Sequence, residues 1–256
     1  MGHFTNEHPL VIKYGGSLLE EQGHRSAFLK QIAALSKQRP VILVHGGGKE
    51  ITRAMEKAGL QASFVNGRRY TDDATMAVVE QVLSRLNKDI VQELKRYETA
   101  PDGFSGRFEH LVEAVPVAGL GRAGEDLKVA KPVLVQILTR TPLPVFYSVA
   151  EDAQRQPLNI NADDFALALA IACQADRLVF LTDSGGLLGK DGQRIDTVHP
   201  DEAQQLIDEK VITGGMIVKV QACIRALNAG VGSVDIVKGI DHFLTGSPAQ
   251  GTVFLL

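Results

Sequence analysis

Two short apolar runs that each end at a glycine turn constrain the fold of this 256-residue chain more than any other feature. The first run, Leu10 to Tyr14, stops at Gly15-Gly16, and the second, Pro40 to His45, stops at Gly46-Gly47-Gly48. Short β-branched runs bounded by glycine are typical of buried strands. Apolar residues recur at helical spacing between the two runs, and the order strand, helix, strand predicts a parallel sheet covered by helices.

The same alternation continues along the chain. A long amphipathic helix is predicted from Asp73 to about Lys95, with Asp72 or Asp73 as its cap. The middle of the chain predicts turns at Pro101-Asp102-Gly103 and Gly119-Leu-Gly121 around short strands such as His110 to Val117. The remaining predicted elements are helices at 50–57, 162–174, 201–208 and 214–228, strands at 143–149, 177–182 and 234–237, and a hairpin at 192. Because no linker or repeat interrupts the pattern, we expect one continuous sheet that is divided functionally near residue 158.

Composition excludes several classes of protein. Apolar residues make up 45% and charged residues 22%, as in soluble globular chains. A net charge of −3 and an aromatic content of 5% argue against nucleic acid as the main partner. Cys173 and Cys223 form no metal or redox motif, and no apolar run approaches the length that crosses a bilayer. We therefore expect a cytoplasmic protein with neither nucleic acid nor membrane as a partner.

The two glycine turns predict an anion site. Parallel strands present their carboxyl ends at one edge of a sheet, where ligands bind, and glycines there let backbone N–H groups approach a phosphate. The second turn leads directly into a helix, whose N-terminus favours anions. Either turn alone is also explained by tight-turn geometry. The P-loop and dinucleotide-binding signatures are both missing from the sequence.

Two lysines in apolar surroundings indicate what such a site would do. Lys13 lies at the inner end of the first strand, where a charge is costly unless an anion or a carboxylate meets it. Lys219 lies on the helix that Gly214-Gly215 opens. The alternatives are a strand-end lysine that reaches water and a solvated helix residue.

A polar loop precedes the most apolar helix. Asn159, Asn161 and Asp163 alternate with apolar residues just before Phe165 to Ile171. Any one of them could simply cap that helix. Since three polar residues exceed what one cap uses, they could instead present two amides and a carboxylate to a ligand.

Taken together, these motifs resemble those of the amino acid kinase family. The resemblance covers about Leu10 to Leu256 and is weakest between about Ala100 and Pro157. Six motifs occur in the family's order: Val11-Ile-Lys-Tyr-Gly-Gly-Ser17, Val44-His-Gly-Gly-Gly-Lys-Glu50, Phe64-Val-Asn-Gly-Arg-Arg-Tyr-Thr-Asp72, Asn159-Ile-Asn-Ala-Asp163, Leu181-Thr-Asp183 and Gly214-Gly-Met-Ile-Val-Lys219.

The resemblance implies an open three-layer α/β/α sandwich with a mainly parallel central sheet. Residues 1–157 would form an N-terminal lobe for the acylamino acid and for dimerisation, and residues 158–256 a C-terminal lobe for MgATP. The implied reaction is ATP-dependent phosphorylation of the side-chain carboxylate of N-acetyl-L-glutamate in arginine biosynthesis. The attacking carboxylate is already ionised at neutral pH, so no general base is required, and His45 is interpreted as a packing residue.

The resemblance also assigns roles to single residues. Lys13 and Lys219 would neutralise charge on the transferring phosphoryl group, and Asp163 would orient them. The residues assigned to the substrate are Gly46, Gly47, Arg69, Asn159 and Asn161. The residues assigned to the nucleotide are Gly15, Gly16, Thr182, Asp183, Gly215 and Met216. No protein ligand is predicted for Mg²⁺, which would bind mainly through the nucleotide phosphates.

Two features depart from the family pattern. The family's Asn-Gly-Leu-Arg reads Asn66-Gly67-Arg68-Arg69 here, which adds a cation beside the substrate arginine. The segment from about Gly103 to Val145 is also short, although in this family it supplies a hairpin lid over the acyl group. These departures leave two alternatives open: a kinase for α-aminoadipate or glutamate carried on an acidic protein, and a non-catalytic metabolite sensor. Because few residues precede Leu10, we expect a homodimer rather than a hexamer interlaced by an N-terminal helix. We expect this dimer to be built on the apolar faces of the N-terminal lobe helices, and its activity to be insensitive to arginine.

Overall fold

The computed structural model describes residues 8–15, 22–65, 67–183 and 185–256. Its strands are β1 (Leu10–Tyr14), β2 (Val41–His45), β3 (Phe64–Val65), β4 (Arg68–Arg69), β5 (Pro101–Ser105), β6 (Val112–Pro116), β7 (Ala123–Val129), β8 (Leu143–Tyr147), β9 (Val149–Glu151), β10 (Pro157–Ile160), β11 (Arg177–Leu181), β12 (Leu187–Leu188), β13 (Arg194–Ile195), β14 (Thr197–Val198), β15 (Ser233–Val237) and β16 (Gly251–Phe254). Its α-helices are α1 (Gln22–Ser36), α2 (Gly48–Lys57), α3 (Asp73–Lys95), α4 (Lys131–Arg140), α5 (Ala162–Ala172), α6 (Pro200–Asp208), α7 (Gly215–Asn228) and α8 (Asp241–Thr245).

One eight-stranded sheet runs through the whole molecule in the order β14-β16-β15-β11-β1-β2-β8-β5. Its neighbouring strands are parallel except for β15 and β16. The prediction of a single continuous sheet is therefore confirmed. Among the helices in the described ranges, none is long and apolar enough to cross a membrane.

Helices cover both faces of this sheet. Successive side chains of a strand point to opposite faces. Leu10 and Ile12 of β1 accordingly pack with α1, α8 and the end of α3, whereas Val11 packs with α4, α5, α6 and α7 on the other face. This is the open α/β/α sandwich that the resemblance implied.

The predicted elements of the first third are confirmed almost to the residue. Strands β1 and β2 end where the glycine turns begin, and α3 spans Asp73–Lys95. The side chain of Asp72 caps this helix, because its Oδ1 accepts a hydrogen bond of 2.7 Å from the N–H of Thr75. The apolar stripe of α3 lies in the interior and packs against α2 at one end and the sheet at the other.

In the middle of the chain the structure differs from the prediction. Pro101-Asp102-Gly103, predicted as a turn, is the start of β5, an edge strand in which proline is tolerated. Gly103 is required there because a Cβ would lie 2.1 Å from Oδ1 of Asn87 on α3. The predicted strand at 143–149 is two strands, β8 in the sheet and β9 outside it.

Outside the sheet, β6, β7, β9 and β10 close into a small four-stranded barrel. A separate two-stranded hairpin, β3–β4, follows α2. Strand β10 runs directly to the start of α5. Residues of the barrel and of the hairpin line one cavity together with the glycine turns at the carboxyl ends of β1 and β2. They supply walls to the site described next.

Candidate active site

The two glycine turns lie side by side, as their positions in neighbouring strands require. In the register of β1 and β2, Tyr14 pairs with His45, and the turns follow immediately. They open on a cavity of about 280 Å³ that is also lined by the β3–β4 hairpin, β7, β10 and the start of α5. A Cβ at Gly15 would lie 3.0 Å from Nζ of Lys13, so glycine leaves that ammonium group room at the mouth of the turn. Gly16 lies outside the described residues.

A carboxylate between two lysines forms the centre of the site. Asp163 Oδ1 lies 2.9 Å from Nζ of Lys13, and Asp163 Oδ2 lies 2.5 Å from Nζ of Lys219. The Lys219 ammonium group also lies over the Phe180 ring, 5.1 Å from its centroid. Burial acts to raise the pKa of Asp163, but the two lysines together hold it below its usual range. Two cations on one carboxylate leave a net positive charge, which suits an anionic ligand.

The start of α5 fixes this carboxylate. Asn161 is the N-cap of the helix, and its side-chain oxygen accepts a hydrogen bond of 2.8 Å from the N–H of Asp163. The capping interpretation therefore holds for Asn161, which also lines the cavity. Asp163 lies in the first turn of the helix, and Asn161 rather than Asp163 caps the helix. The carboxylate of Asp163 therefore contacts the two lysines.

Arg69 is a buried cation that lines the same cavity. Its Nη2 donates to the carbonyl oxygen of Gly48 at 2.9 Å and to Oγ1 of Thr52 at 2.8 Å, and its guanidinium lies 4.6 Å from the centroid of the Phe64 ring. The residue is only 7% exposed, and burial lowers its pKa. Within the described part of the chain, no carboxylate oxygen lies within 4.0 Å of it. A buried guanidinium without a counter-charge indicates an acidic ligand.

Asn159 lines the same cavity as Arg69. Its Nδ2 donates to Oγ1 of Thr71 at 3.1 Å, and its backbone N–H donates to the carbonyl oxygen of Arg122 at 2.8 Å. These contacts hold the amide at the end of β10 against β7. The cavity is lined by Lys13 and Asp163, predicted for the phosphoryl group, by Gly15, predicted for the nucleotide, and by the residues predicted for the substrate: Gly46, Gly47, Arg69, Asn159 and Asn161. Lys219 reaches Asp163 from α7 and does not itself line this cavity.

Four of the residues predicted for the nucleotide lie in two other segments. Thr182 and Asp183 follow β11, which pairs with β1, and Gly215-Met216 begins α7, the helix that carries Lys219. Gly214 has φ 59°, a left-handed conformation that glycine adopts without strain. Of the described residues that line the cavity, none belongs to these two segments. The assignment of these four residues to the nucleotide stays a prediction.

His45 lies beneath the second glycine turn. It is fully buried, its Nδ1–H donates to the carbonyl oxygen of Gly46 at 2.9 Å, and Nδ2 of Asn87 donates to its Nε2 at 3.1 Å. Asn87 also donates to the carbonyl oxygen of Val145, so both polar side chains are satisfied without charge. Burial lowers the pKa of His45 to about 4. The packing interpretation agrees with this environment, but the partner on α3 carries no signal in the sequence.

This low pKa predicts how stability depends on pH. The unfolded chain regains the usual value of 6.5, so it takes up a proton before the folded state does. The contribution of neutral His45 is fully present above pH 6.5 and is lost as pH falls towards 4, by on the order of 3 kcal/mol. Urea unfolding of the native protein and of His45→Gln across this range measures it. The substitution should flatten the pH dependence, and equal slopes would contradict the assignment.

No group of three or more His, Cys, Asp or Glu side chains in the described ranges could hold a metal ion. The described site instead consists of lysines, glycine turns and one buried arginine at the carboxyl ends of a parallel sheet, an arrangement typical of α/β proteins that handle phosphate. The chain belongs to the amino acid kinase family, whose family model matches residues 9–238.

Among the relatives of this chain in the family are acetylglutamate kinases. The chain is 38% identical over 231 residues to an acetylglutamate kinase of Endomicrobium trichonymphae, covering 90% of this chain and 93% of the relative. It is 40% identical over 245 residues to an acetylglutamate kinase of a Synechococcus species, covering 92% of this chain and 81% of the relative.

Solved structures share the fold. A Streptococcus mutans protein of 29% identity superposes with a TM-score of 0.82, covering 96% of this chain and 98% of its own. An N-acetylglutamate synthase of Neisseria gonorrhoeae, crystallised with coenzyme A and N-acetyl-glutamate, has 22% identity and a TM-score of 0.84 over 97% of this chain and 59% of its own. A carbamate kinase of Giardia lamblia bound to AMP-PNP has 15% identity and a TM-score of 0.68 over 98% of this chain and 99% of its own.

Proposed function

We propose that this chain phosphorylates the side-chain carboxylate of N-acetyl-L-glutamate with ATP, forming an acyl phosphate in arginine biosynthesis. The observation that carries the proposal is that Lys13 and Asp163 line the same cavity as a buried arginine that has no counter-charge among the described residues. Lys219 pairs with the same carboxylate from α7. The acetylglutamate kinases that resemble it over most of the chain support the choice of substrate.

In this proposal Lys13 and Lys219 contact the transferring phosphoryl group and neutralise the charge that develops on it. Asp163 holds both ammonium groups at one place, 2.9 and 2.5 Å from its two oxygens. The glycine turns contribute backbone N–H groups. The substrate carboxylate attacks the γ-phosphorus, the bond to the bridging oxygen of ADP breaks, and no proton has to be removed.

The α-carboxylate end of the substrate would meet Arg69 and Asn159, which line the same cavity. Arg69 pairs with the α-carboxylate, and the amide of Asn159 donates to the same group. Both side chains are already held by hydrogen bonds within the chain, so little ordering is needed when the substrate binds. The cavity of about 280 Å³ suits a small acylamino acid.

ATP would bind across residues 158–256, with Thr182, Asp183, Gly215 and Met216 nearest to it, while residues 1–157 supply most of the substrate site. Gly15 and Gly16 would lie at the phosphates. Mg²⁺ would enter with the nucleotide, held mainly by the phosphate oxygens, and would supply further charge neutralisation.

Neither alternative gains support from the described contacts. Arg68, the additional cation, already pairs with Asp164 and Glu125 of its own chain. It is therefore not an unpaired surface cation that an acidic carrier protein would bind. A non-catalytic sensor would be expected to lack a phosphoryl-handling residue, and Lys13, Asp163 and Lys219 are all in place.

A substrate panel tests the proposal. ATP consumption is measured with N-acetyl-L-glutamate, glutamate, N-acetylaspartate, α-aminoadipate and carrier-linked glutamate. We expect turnover with N-acetyl-L-glutamate to exceed that with the others by at least about tenfold in kcat/KM, the scale of one well-placed contact. A preference for the carrier-linked substrate, or no turnover of any acid, would overturn it.

We also propose a homodimer. The apolar faces of α1 and α3, which the sequence offers for dimerisation, are buried inside the chain itself. At this end of the sheet, β5 is an edge strand, and the backbone groups on its outer side are a candidate for contact between subunits. Light scattering should give twice the chain mass of 27.6 kDa. A monomer or a hexamer would contradict the proposed homodimer. Inhibition by arginine would contradict the separate expectation that activity is insensitive to arginine.

A further inference from the structure

A chain of hydrogen bonds runs from the second glycine turn through His45 and Asn87 into the sheet. The Nδ1–H of His45 donates to the carbonyl oxygen of Gly46 at 2.9 Å. Nδ2 of Asn87 donates to His45 Nε2 at 3.1 Å and to the carbonyl oxygen of Val145 at 2.9 Å. His45 is fully buried, and Asn87 is 4% exposed. Packing accounts for the burial of both side chains, but it does not account for the order of their polar contacts.

The direction of each hydrogen bond in this chain is fixed by the carbonyl groups at its two ends. A carbonyl oxygen can only accept, so Nδ1 of His45 carries the proton, and Nε2 of the neutral imidazole is then an acceptor. Asn87 uses both hydrogens of its Nδ2 group, one for Nε2 and one for the carbonyl oxygen of Val145 in β8. The sheet therefore sets the tautomer of His45 through one amide of α3.

The edge strand β5 confines this amide from the other side. A Cβ at Gly103 would lie 2.1 Å from Oδ1 of Asn87, so the side chain of Asn87 fits in this position only beside a glycine. Gly103 pairs with Val145 in the register of β5 and β8. The same pair of strands thus supplies the acceptor for Nδ2 and the space for Oδ1, which leaves the Asn87 amide little freedom to turn.

The hydrogen bond from His45 acts on one peptide group of the glycine turn. The carbonyl and the N–H of a trans peptide point in opposite directions, so holding the Gly46 carbonyl towards His45 directs the N–H of Gly47 away from it. Gly46 and Gly47 both line the cavity that contains Lys13. Among the described residues, none accepts a hydrogen bond from the N–H of Gly47. Because glycine has no side chain to restrict its backbone, this peptide group needs an external contact to keep one orientation.

We propose that His45 and Asn87 are positioning residues, which hold the peptide group between Gly46 and Gly47 so that its N–H faces the transferring phosphoryl group. The consequence for the reaction rests on the proposed function; the hydrogen-bond chain itself does not. Neither side chain touches the reacting atoms. They act because a donor that is already oriented stabilises the charge of the transition state without having to reorganise.

Two substitutions of His45 separate the two ends of the imidazole. In His45→Asn the side-chain amide nitrogen can take the place of Nδ1 and still donate to the Gly46 carbonyl. In His45→Gln the longer side chain reaches the place of Nε2, so it keeps the contact with Asn87 and loses the contact with Gly46. Both variants lose the packing of the ring and should be less stable than the native protein in urea. Only His45→Gln should also lower kcat, by about tenfold or more, whereas His45→Asn should recover most of the native rate.

A third substitution disturbs the hydrogen-bond chain from the edge strand. Gly103→Ala should displace Asn87 and lower kcat by about tenfold, with less than about a twofold change in KM for either substrate. The double variant His45→Gln/Gly103→Ala should be no slower than His45→Gln, because both changes release the same peptide group. The matched control is Gly232→Ala, in which the new Cβ would lie 2.5 Å from the carbonyl oxygen of Asp176 near the amino end of β11. It should lose stability and keep the native kcat.

The tautomer of His45 is measured without turnover, from the chemical shifts of its ring in NMR spectra, with the signals assigned by their loss in His45→Gln. The native protein should show the neutral form with the proton on Nδ1, and Gly103→Ala should show a mixture of both tautomers. A native ring protonated on Nε2 alone would overturn the proposal. So would native kcat in Gly103→Ala, or an equal loss of kcat in His45→Asn and His45→Gln, since packing would then explain both.

If His45→Gln fails to fold, Gly103→Ala decides the question by kcat and by the tautomer of His45, whose signals are then assigned from His45→Asn. A ring protonated on Nδ1, in a protein that phosphorylates no acidic substrate, would support the hydrogen-bond chain and refute the proposed function. The two can therefore fail separately.

Discussion

Lys219→Ala is expected to lower kcat by about 10²-fold or more, the scale of losing one charge partner of the transition state. The variant should remain folded, because Lys13 stays 2.9 Å from Asp163 and keeps that carboxylate paired. Lys13→Ala should behave in the same way, with Lys219 as the remaining partner. Steady-state kinetics with ATP and N-acetyl-L-glutamate, together with thermal unfolding, measures both effects.

The control for this pair is Lys37→Ala, which removes an exposed lysine beyond the end of α1 and should change neither kcat nor KM. If Lys219→Ala folds and turns over at nearly the native rate, the catalytic assignment is wrong. A loss of rate that accompanies a loss of structure would be judged from Lys219→Arg, which keeps the charge but moves it.

Arg69→Ala should raise KM for the acidic substrate by about 10²-fold, because it removes a buried cation of the substrate cavity. KM for ATP should stay nearly unchanged. Arg69→Lys should recover only part of the affinity, since a lysine cannot form two parallel hydrogen bonds to a carboxylate. Initial rates with each substrate varied in turn give both constants.

The contrary result would be a rise in KM for ATP with the acidic substrate unaffected. That outcome would reverse the assignment of the two halves of the chain to their ligands. A fall in kcat alone would place Arg69 at the transferring phosphoryl group instead of at the α-carboxylate.

Much of the sheet could be predicted from sequence because its strands are buried on both faces. Such strands read as continuous apolar runs, and β1, β2 and β11 stop at or next to their predicted ends. The helix α3 was equally predictable, since its apolar stripe recurs over several turns and Asp72 caps it.

The middle of the chain could not be predicted for the opposite reason. Strand β7, with the sequence Ala123-Gly-Glu-Asp-Leu-Lys-Val129, is half exposed and carries charges, so it lacks a clear apolar run. Strand β10 reads as part of a polar loop because Asn159 faces the cavity and the polar residues Asn161 and Asp163 follow the strand. The small barrel exists only through pairing between distant segments, which no local pattern records.

Some residues of the candidate site could likewise be predicted from the sequence, and others could not. Charged and amide groups are unusual in apolar surroundings, and this makes Lys13, Lys219 and the polar residues from Asn159 to Asp163 predictable from the sequence. The roles of Arg69 and of the nucleotide residues came from the family resemblance. The contacts of Arg68 with Asp164 and Glu125 join segments that lie 96 and 57 positions apart, so only the fold reveals them.

The most direct test of the proposed reaction is to trap its product. An acyl phosphate reacts with hydroxylamine to give a hydroxamate and inorganic phosphate. With ATP, Mg²⁺, N-acetyl-L-glutamate and hydroxylamine, the native protein should form one hydroxamate for each ADP released, and Lys219→Ala should form it about 10²-fold more slowly. ADP release without hydroxamate, or no reaction with this substrate, would contradict the assignment of this chain as a kinase of the N-acetyl-L-glutamate carboxylate.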